Sequence, residues 1–368
     1  MPALARPLPS VLVPVTVFTA IAVFCAGVAT VVARSDGSGD REPAAASTST
    51  GGAPDGATTT VPRPLPVFPL TGLPAADPAV AARPALVVKI DNAEGLARPQ
   101  MGLNQADVVV EETVEGSVTR LAAIFHSTDV DPVGPVRSAR TTDIALATPL
   151  DNPLFAWSGA NADFAAAIRA AALIDVGVDA APGSYMRRGD RRAPANLYSS
   201  TSSLYAMAPP GAPPPPPLFL FRPDGAPLAA GATPVGALNV NYGAGPGSAP
   251  VDYLWDAAAG VYARSQRGTA HVDEAGVQVA PQNVVVQFVD YVDTGYVDVS
   301  GSAVPEANLV GEGPVWVLTA GHLIEGRWAK PTLEAVTQYL DASGSPIGLT
   351  PGRTWVALAP PGGATVTG

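Results

Sequence analysis

The longest hydrophobic segment of the chain is a run of 23 uncharged residues, Val11 to Ala33. At about 1.5 Å of rise per residue, a helix of this length crosses a hydrocarbon core of about 30 Å. Arg6 and the amino terminus precede the run, and Asp36 and Asp40 follow it. The pattern therefore predicts a single-pass anchor in the cell membrane, with residues 1–10 in the cytoplasm and the remainder of the chain outside it.

A second interpretation of residues 11–33 is a cleaved secretory signal. The run is longer than the core of an ordinary signal, and no clear Ala-x-Ala cleavage pattern follows it. Cys25, the single cysteine of the chain, lies in the middle of the run and follows the bulky Phe24, so it is a poor match to a lipidated cysteine. Both interpretations export the remainder of the chain, and a single cysteine excludes an intramolecular disulfide.

Residues 34–64 are rich in Ser, Thr, Gly, Ala and Pro and nearly free of large apolar side chains. Such a segment buries too little surface to offset the entropy of ordering it, so we expect a disordered linker. Thirty flexible residues reach about 30 Å. This linker would hold the folded part in or near the cell wall.

Residues 65–205 alternate strand-like and helix-like patterns. Ala85–Ile90 and Ala106–Glu112 are continuous apolar runs typical of buried strands, and Thr119–His126 is a third strand or a short helix. Asn161–Leu173 has helical spacing of its apolar residues, with Asn161 as the N-cap. The order predicts an α+β or α/β first domain.

The pattern changes after a proline-rich segment, residues 206–217, which we interpret as a connector. Residues 218–368 consist mainly of short strand-like runs separated by Gly, Pro, Asp or Asn. Trp316–Trp328 predicts a hairpin, and Thr332–Leu340 predicts a helix. We therefore expect a mostly β second domain, either barrel-like or sandwich-like.

Composition narrows the possible partners. Hydrophobic residues make up 47% of the chain and charged residues 14%, which is enough apolar content for a large core. The net charge of −11 argues against nucleic-acid binding and means that any anion site must be local. His126, His271 and His322 are far apart and no metal or nucleotide motif occurs, so neither a metal nor a cofactor is predicted. His126 and its neighbour Ser127 would face apart on a strand, which argues against a nucleophile–base pair.

The densest group of charged residues lies between Glu111 and Asp143. Arg137 and Arg140 follow a Gly-Pro turn and stand three residues apart, so on a helix both guanidinium groups would face one carboxylate or phosphate. The alternative is that both arginines pair with nearby carboxylates for structural support. The candidate ligand-binding residues are Arg137, Arg140, Ser138, Glu111, Glu115, Arg120 and Asn196.

Carboxylates in the same region raise the question of catalysis. Glu111 and Glu112 are adjacent, so on a strand they point to opposite faces. Glu115 could bring a second carboxylate near Glu111, and paired carboxylates suit glycoside cleavage. The alternative is that these carboxylates lie at a solvated edge of a sheet and have no catalytic role. Catalytic residues are therefore left unassigned, and whether the chain is an enzyme stays open.

Several longer stretches together resemble the YerB-like family of exported bacterial proteins, which carries a two-part domain of unknown function. They include ALVVKIDNAEGLARPQMGLNQADVVVEETVEGSVTRLAAIFHS, DPVGPVRSARTTDI, RRAPANLYSST, NVVVQFVDY and GRTWVALAP, within residues 66–362. The resemblance implies an extracytoplasmic protein that is membrane-attached or lipidated, without an assigned activity. A His usually precedes the Asn-Leu-Tyr segment in this family, whereas this chain has Ala195 there. A catalytic role of that His in relatives would not apply here.

Two hypotheses about function follow. The first is a membrane-tethered binding or scaffold protein of the cell envelope that holds an anionic wall-related or peptide ligand through Arg137 and Arg140. Its partners would be the cytoplasmic membrane, through residues 11–33, and a wall polymer or other envelope proteins. The second is a hydrolase of a wall glycan or phosphodiester, with Glu111 or Glu115 as general acid or base. A purely structural assembly role is a third possibility.

The predicted topology can be tested with a reporter enzyme that is active only outside the cytoplasm, fused after Gly368. We expect an active reporter, because residues 11–33 direct export in either interpretation, and the anchor interpretation further predicts that the reporter stays in the membrane fraction. Deleting residues 11–33 provides the control and should abolish reporter activity. An inactive reporter in the soluble lysate of the intact fusion would contradict the predicted topology.

Overall fold

The structure is a computed structural model that describes residues 66–245, 247–297 and 301–368. The predicted cytoplasmic tip (1–10), anchor (11–33) and linker (34–64) lie outside the described residues. All described residues belong to one compact unit, Pro62–Gly368. None of the helices in these three ranges is long and apolar enough to cross a membrane.

The structure has few and short helices and many strands. The α-helices are α1 (Pro78–Ala81), α2 (Thr142–Ala147), α3 (Ala162–Ala170) and α4 (Thr201–Tyr205), and 3-10 turns cover Glu115–Ser117, Thr148–Leu150 and Pro182–Ser184. The strands up to residue 240 are β1 (Leu86–Asp91), β2 (Val108–Thr113), β3 (Thr119–Phe125), β4 (Leu154–Ala156), β5 (Ile174–Asp175), β6 (Tyr185–Arg187), β7 (Leu197–Ser199), β8 (Leu220–Phe221), β9 (Thr233–Pro234) and β10 (Ala237–Val240). The later strands are β11 (Val251–Asp256), β12 (Val261–Gln266), β13 (Thr269–Ala270), β14 (Asn283–Phe288), β15 (Tyr291–Val297), β16 (Ala303–Ala307), β17 (Gly311–Thr319), β18 (His322–Lys330), β19 (Gln338–Asp341), β20 (Gly348–Leu349), β21 (Thr354–Ala359) and β22 (Ala364–Thr367).

One mixed sheet contains strands from both predicted domains. Its order is β19-β18-β17-β14-β21-β2-β3-β1-β4-β5, and β9 also pairs with β18. The two halves of the sequence meet where β2 runs parallel to β21, in register from Val108 opposite Thr354 to Glu111 opposite Ala357. The ranges 65–205 and 218–368 therefore divide the sequence, while their strands share one sheet.

Both faces of the central sheet are buried along its inner strands β1, β2, β3, β14 and β21, which explains the continuous apolar runs in these strands. Successive side chains of a strand point to opposite faces. In β1, Leu86 and Val88 therefore contribute to one hydrophobic core and Val87 to the other. The first core is closed by a five-stranded sheet of order β13-β12-β11-β10-β22, through residues such as Tyr253. The second core includes Ile168 of α3.

Several local predictions can be compared with the described elements. The segment Thr119–His126, predicted as a strand or a short helix, contains strand β3, and the predicted hairpin corresponds to β17 and β18. Asn161 caps α3, because its side chain accepts a hydrogen bond from the backbone N–H of Asp163. The predicted helix Thr332–Leu340 is wrong: the chain there enters β19, which pairs with β18. Pairing with the preceding strand overrides the local helical pattern at the end of this segment.

A buried ion pair joins the central sheet to the five-stranded sheet. Nη2 of Arg264, on β12, donates to both carboxylate oxygens of Glu111, on β2, at 2.9 Å. Both side chains are 0% exposed. Nε1 of Trp355, on β21, donates to Glu111 Oε2 at 3.0 Å, and Thr119 Oγ1 donates to Oε1 at 2.8 Å. The carboxylate of Glu111 therefore joins its own strand β2 to three others, β3, β12 and β21, from both halves of the chain.

We predict that Arg264→Met destabilises the protein by about 3–5 kcal/mol, because Glu111 then remains charged and buried without its partner. Adding Glu111→Gln to this variant should recover part of the lost stability, since the uncompensated charge is removed. Urea unfolding measures both effects. Arg327→Met is the matched control: Arg327 lies 3.5 Å from Glu312 and both side chains are at least half exposed, so its loss should cost less than about 1 kcal/mol. Equal losses in the two single variants would contradict the prediction.

Candidate functional site

Three arginines surround a cavity of about 370 Å³ on the face of the central sheet that α3 covers. Five of the seven predicted ligand-binding residues line this cavity. The lining consists of Glu115, Arg120, Arg137, Ser138, Arg140, Ala160, Asn161, Phe164, Val297 and Val304. Cationic and apolar side chains thus meet in one concave surface.

The segment that carries Arg137 and Arg140 is extended and not helical, which corrects the geometry expected from their spacing. The backbone N–H of Arg137 donates to Lys89 O on β1 at 2.8 Å, and its carbonyl accepts from Ser158 N at 2.9 Å. Helix α2 begins only at Thr142. Backbone pairing on both sides of this segment places the two arginines in the cavity wall.

Arg140 is fully engaged by a carboxylate. Its Nε and Nη2 donate to Glu115 Oε1 and Oε2 at 2.7 and 2.8 Å, and its Nη1 donates to Ala139 O at 2.7 Å. The Arg140 side chain is 10% exposed. The structural-support alternative therefore describes Arg140, with Glu115 as the partner, and Glu115 is not a free carboxylate.

Arg137 is only partly engaged. Its Nε lies 3.0 Å from Oδ2 of Asp91, a buried carboxylate at the end of β1 that the sequence analysis did not select. The Arg137 side chain is 28% exposed, so the remainder of its guanidinium is open to the cavity. An anion in the cavity could accept hydrogen bonds from it.

Arg120 is the least compensated cation of the site. It is 8% exposed, and its Nη1 donates to Ser138 O at 3.0 Å. Its Nε has no hydrogen-bond partner, and no carboxylate of the described residues lies within ion-pair distance of it. Burial, and then the neighbouring charge of Arg140, lower the pKa of Arg120 to about 10, although Glu115 and Asp91 act in the opposite direction. A buried guanidinium without a carboxylate marks a place where an anion would be stabilised.

Glu111 and Asn196, the other two predicted site residues, lie away from this cavity. Glu111 faces the other side of the sheet, where it binds Arg264. Asn196 precedes β7 and accepts a hydrogen bond from Arg187 Nη1 at 2.8 Å. Because Glu111 and Glu115 belong to different surroundings and both are paired with arginines, the structure does not offer them as an acid–base pair.

A buried triad lies next to Arg140, and the sequence pattern did not predict it. Lys89 Nζ donates to Glu112 Oε1 and, at 2.6 Å, to Asp143 Oδ1, and all three side chains are at most 1% exposed. Asp143 Oδ2 also accepts from Arg140 N at 2.7 Å. Burial raises the pKa of Glu112. A lysine inside the apolar run ALVVKID was the signal, because a buried amine requires carboxylate partners.

Ser127 is held by a carboxylate and not by its neighbour His126. Its Oγ donates to Asp107 Oδ1, and its backbone N–H donates to Asp107 Oδ2 at 2.8 Å. His126 is fully buried and lies edge-on to Phe68, with ring centroids 5.5 Å apart. Burial and the nearby Arg83 lower the pKa of His126 from 6.5 to about 4. This histidine is therefore a neutral part of the core.

Two segments of the chain match models of one protein family. Residues 70–211 match the family described as "Protein of unknown function (DUF3048) N-terminal domain", and residues 238–356 match the DUF3048 C-terminal domain. A relative from Bacillus subtilis (strain 168), "Putative lipoprotein YerB", is 30% identical over 298 residues, which are 79% of this chain and 86% of the relative. The crystal structure of YerB from Bacillus subtilis matches with a TM-score of 0.71 and 27% identity, covering 82% of this chain and 99% of that chain.

We predict that His126 makes the protein less stable in mild acid. A histidine whose pKa falls from 6.5 to about 4 on folding leaves the native state with fewer bound protons than the unfolded state in that window, so stability decreases as the pH falls through it. The maximal contribution is about 3 kcal/mol. His126→Leu should flatten the pH dependence of the unfolding free energy between pH 6.5 and pH 4.

Phe68→Leu is the control for this measurement, since it changes the packing against the same ring without removing a titrating group. It should lower stability while the slope against pH is kept. If His126→Leu retains the full wild-type slope, the assignment of this acid sensitivity to His126 is wrong.

Proposed function

This chain belongs to the DUF3048 family of YerB-like proteins, and from that premise we propose that it is an exported, membrane-attached protein of the cell envelope that binds an anionic ligand in the arginine cavity. The hydrophobic run of residues 11–33 and the lipoprotein name of the Bacillus subtilis relative both support attachment to the membrane. The ligand is a wall-related polymer or a peptide of the envelope that presents a phosphate or a carboxylate.

The observation that carries the proposal is the uncompensated guanidinium of Arg120. Three arginines face this cavity, but only two carboxylates are in contact with them. Glu115 pairs with Arg140, and Asp91 pairs with Arg137. An ordinary structural cluster would pair each buried cation. An anion between Arg120 and Arg137 would provide the missing negative charge and accept from their free N–H groups.

The other walls of the cavity restrict the ligand further. Phe164, Val297 and Val304 provide apolar contacts opposite the arginines. Phe164 packs edge-on against Tyr296, with ring centroids 5.0 Å apart, so this wall is held in place. A ligand with an anionic group and a short apolar portion fits this surface better than a free inorganic ion.

The proposal can be tested by calorimetry with the full-length chain in detergent. The probes are glycerol phosphate for a wall phosphodiester and N-acetylalanine for a peptide carboxylate. We expect Arg120→Met or Arg137→Met to weaken binding about 10- to 100-fold, because each removes a charge-assisted hydrogen bond worth about 1.5–3 kcal/mol. Binding should also weaken with added salt.

Arg187→Met is the matched control, because Arg187 is exposed and contacts Asn196 outside the cavity. It should bind both probes as the wild type does. Binding that survives loss of both Arg120 and Arg137 would contradict the site, and a preference between the two probes would identify the class of anion.

A further inference from the structure

The chain contains two lysines, Lys89 and Lys330, and both are buried, but only one of them is paired. Lys89 lies between two carboxylates. Lys330, at the end of β18, is 2% exposed and donates to the carbonyl of Ala145. Among the described residues, the only ion pairs formed by a lysine are those of Lys89. Lys330 is thus a buried amine without a counter-ion.

Lys330 lines a second, smaller cavity of about 70 Å³ on the same face of the central sheet. Its walls are mostly apolar and come from β2, β3 and β21. They include Val108, Val110, Ile124, Val356 and Leu358, together with Phe219. A cation in such surroundings is costly, and the charge of Glu334, which favours the protonated amine, only partly offsets the effect of burial.

The same cavity contains a second polar group without a partner. Gln287 is 3% exposed, its Oε1 accepts from the hydroxyl of Tyr339 at 3.0 Å, and its Nε2 has no hydrogen-bond partner. The amide oxygen of Gln287 is therefore already hydrogen-bonded to Tyr339, whereas its amide N–H groups have no acceptor and can donate to a ligand. Two kinds of N–H donor, an amine and an amide, therefore line one apolar cavity.

We propose that this cavity binds a small carboxylate of about two carbons, whose oxygens accept from Lys330 Nζ and Gln287 Nε2. A carboxylate supplies both the missing negative charge and acceptors for the free donors, and its methyl group contacts the aliphatic walls. At about 30 Å³ per water molecule, the cavity corresponds to about two waters or one acetate ion. Water would satisfy the donors but would leave the charge of Lys330 uncompensated.

The state of Lys330 provides a direct readout. Burial lowers the pKa of Lys330 to about 8, so the amine gains and loses its proton near physiological pH. A bound carboxylate favours the protonated form and must raise this pKa. Each unit of increase corresponds to about tenfold tighter binding of the carboxylate to the charged amine than to the neutral one.

The experiment uses the full-length chain in detergent with ¹³C label at the ε-carbon of lysine, which gives one signal from each of the two lysines. We expect saturating acetate to raise the pKa of Lys330 by about one unit or more, while the signal of Lys89 stays unchanged. Butyrate should be excluded by the volume of the cavity. A pKa of Lys330 that stays at about 8 in about 100 mM acetate would overturn the proposal and leave water as the occupant.

Two variants separate this site from the arginine cavity. Lys330→Met should keep the fold, because a methionine of similar length replaces an unpaired buried amine, and it should remove the signal that acetate shifts, which assigns that signal to Lys330. Gln287→Glu should raise the pKa of Lys330 without acetate and block the response to it, since a carboxylate is then built into the cavity. Arg120→Met should leave the response of Lys330 intact. A response lost in Arg120→Met but kept in Gln287→Glu would place acetate elsewhere and contradict the proposal.

Discussion

The ion pair between Glu111 and Arg264 is the interaction on which the architecture depends. It lies completely buried between the central sheet and the five-stranded sheet, and its members are 153 residues apart in sequence. The guanidinium also lies 4.7 Å from the centroid of the Trp355 ring. Because a buried charge is tolerated only with its partner in place, this pair admits one arrangement of the two halves of the chain. The same carboxylate also accepts from Trp355 on β21, so it favours the parallel register in which β2 and β21 pair.

The alternation of side chains along β2 distributes charge between the two faces of the sheet. Glu111 points to the face covered by the five-stranded sheet, and Glu112 points to the opposite face, where it receives Lys89. Neither carboxylate is available to a ligand. A one-residue shift of the strand would exchange their surroundings and leave both uncompensated, so the polar groups fix the register as strongly as the apolar ones.

The arginine cavity lies beyond this buried triad, and its three arginines differ in how far their charge is compensated. Arg140 is bound on both sides of its fork by Glu115, Arg137 contacts Asp91 with one nitrogen, and Arg120 has no carboxylate partner among the described residues. The paired arginines thus belong to the wall of the cavity, while the charge of Arg120 is left without a carboxylate partner. The smaller Lys330 cavity likewise contains a buried cation without a carboxylate in ion-pair contact. In both places the proposed ligand would supply the negative charge that the protein itself does not provide.

Local patterns in the sequence determined the positions of β1, β2 and β3, the hairpin of β17 and β18, and the cap of α3 at Asn161, because each depends on side-chain periodicity or on a hydrogen bond between near neighbours. They also brought Arg120, Arg137 and Arg140 together as candidates. Only the tertiary structure decided that both halves share one sheet, that Glu111 binds Arg264 and not the arginines near it in sequence, and that residues 332–340 do not form a helix. The first two features arise from contacts between residues far apart in sequence, and the third from the pairing of β19 with the preceding strand β18. A short window of sequence does not contain the partner in any of these contacts.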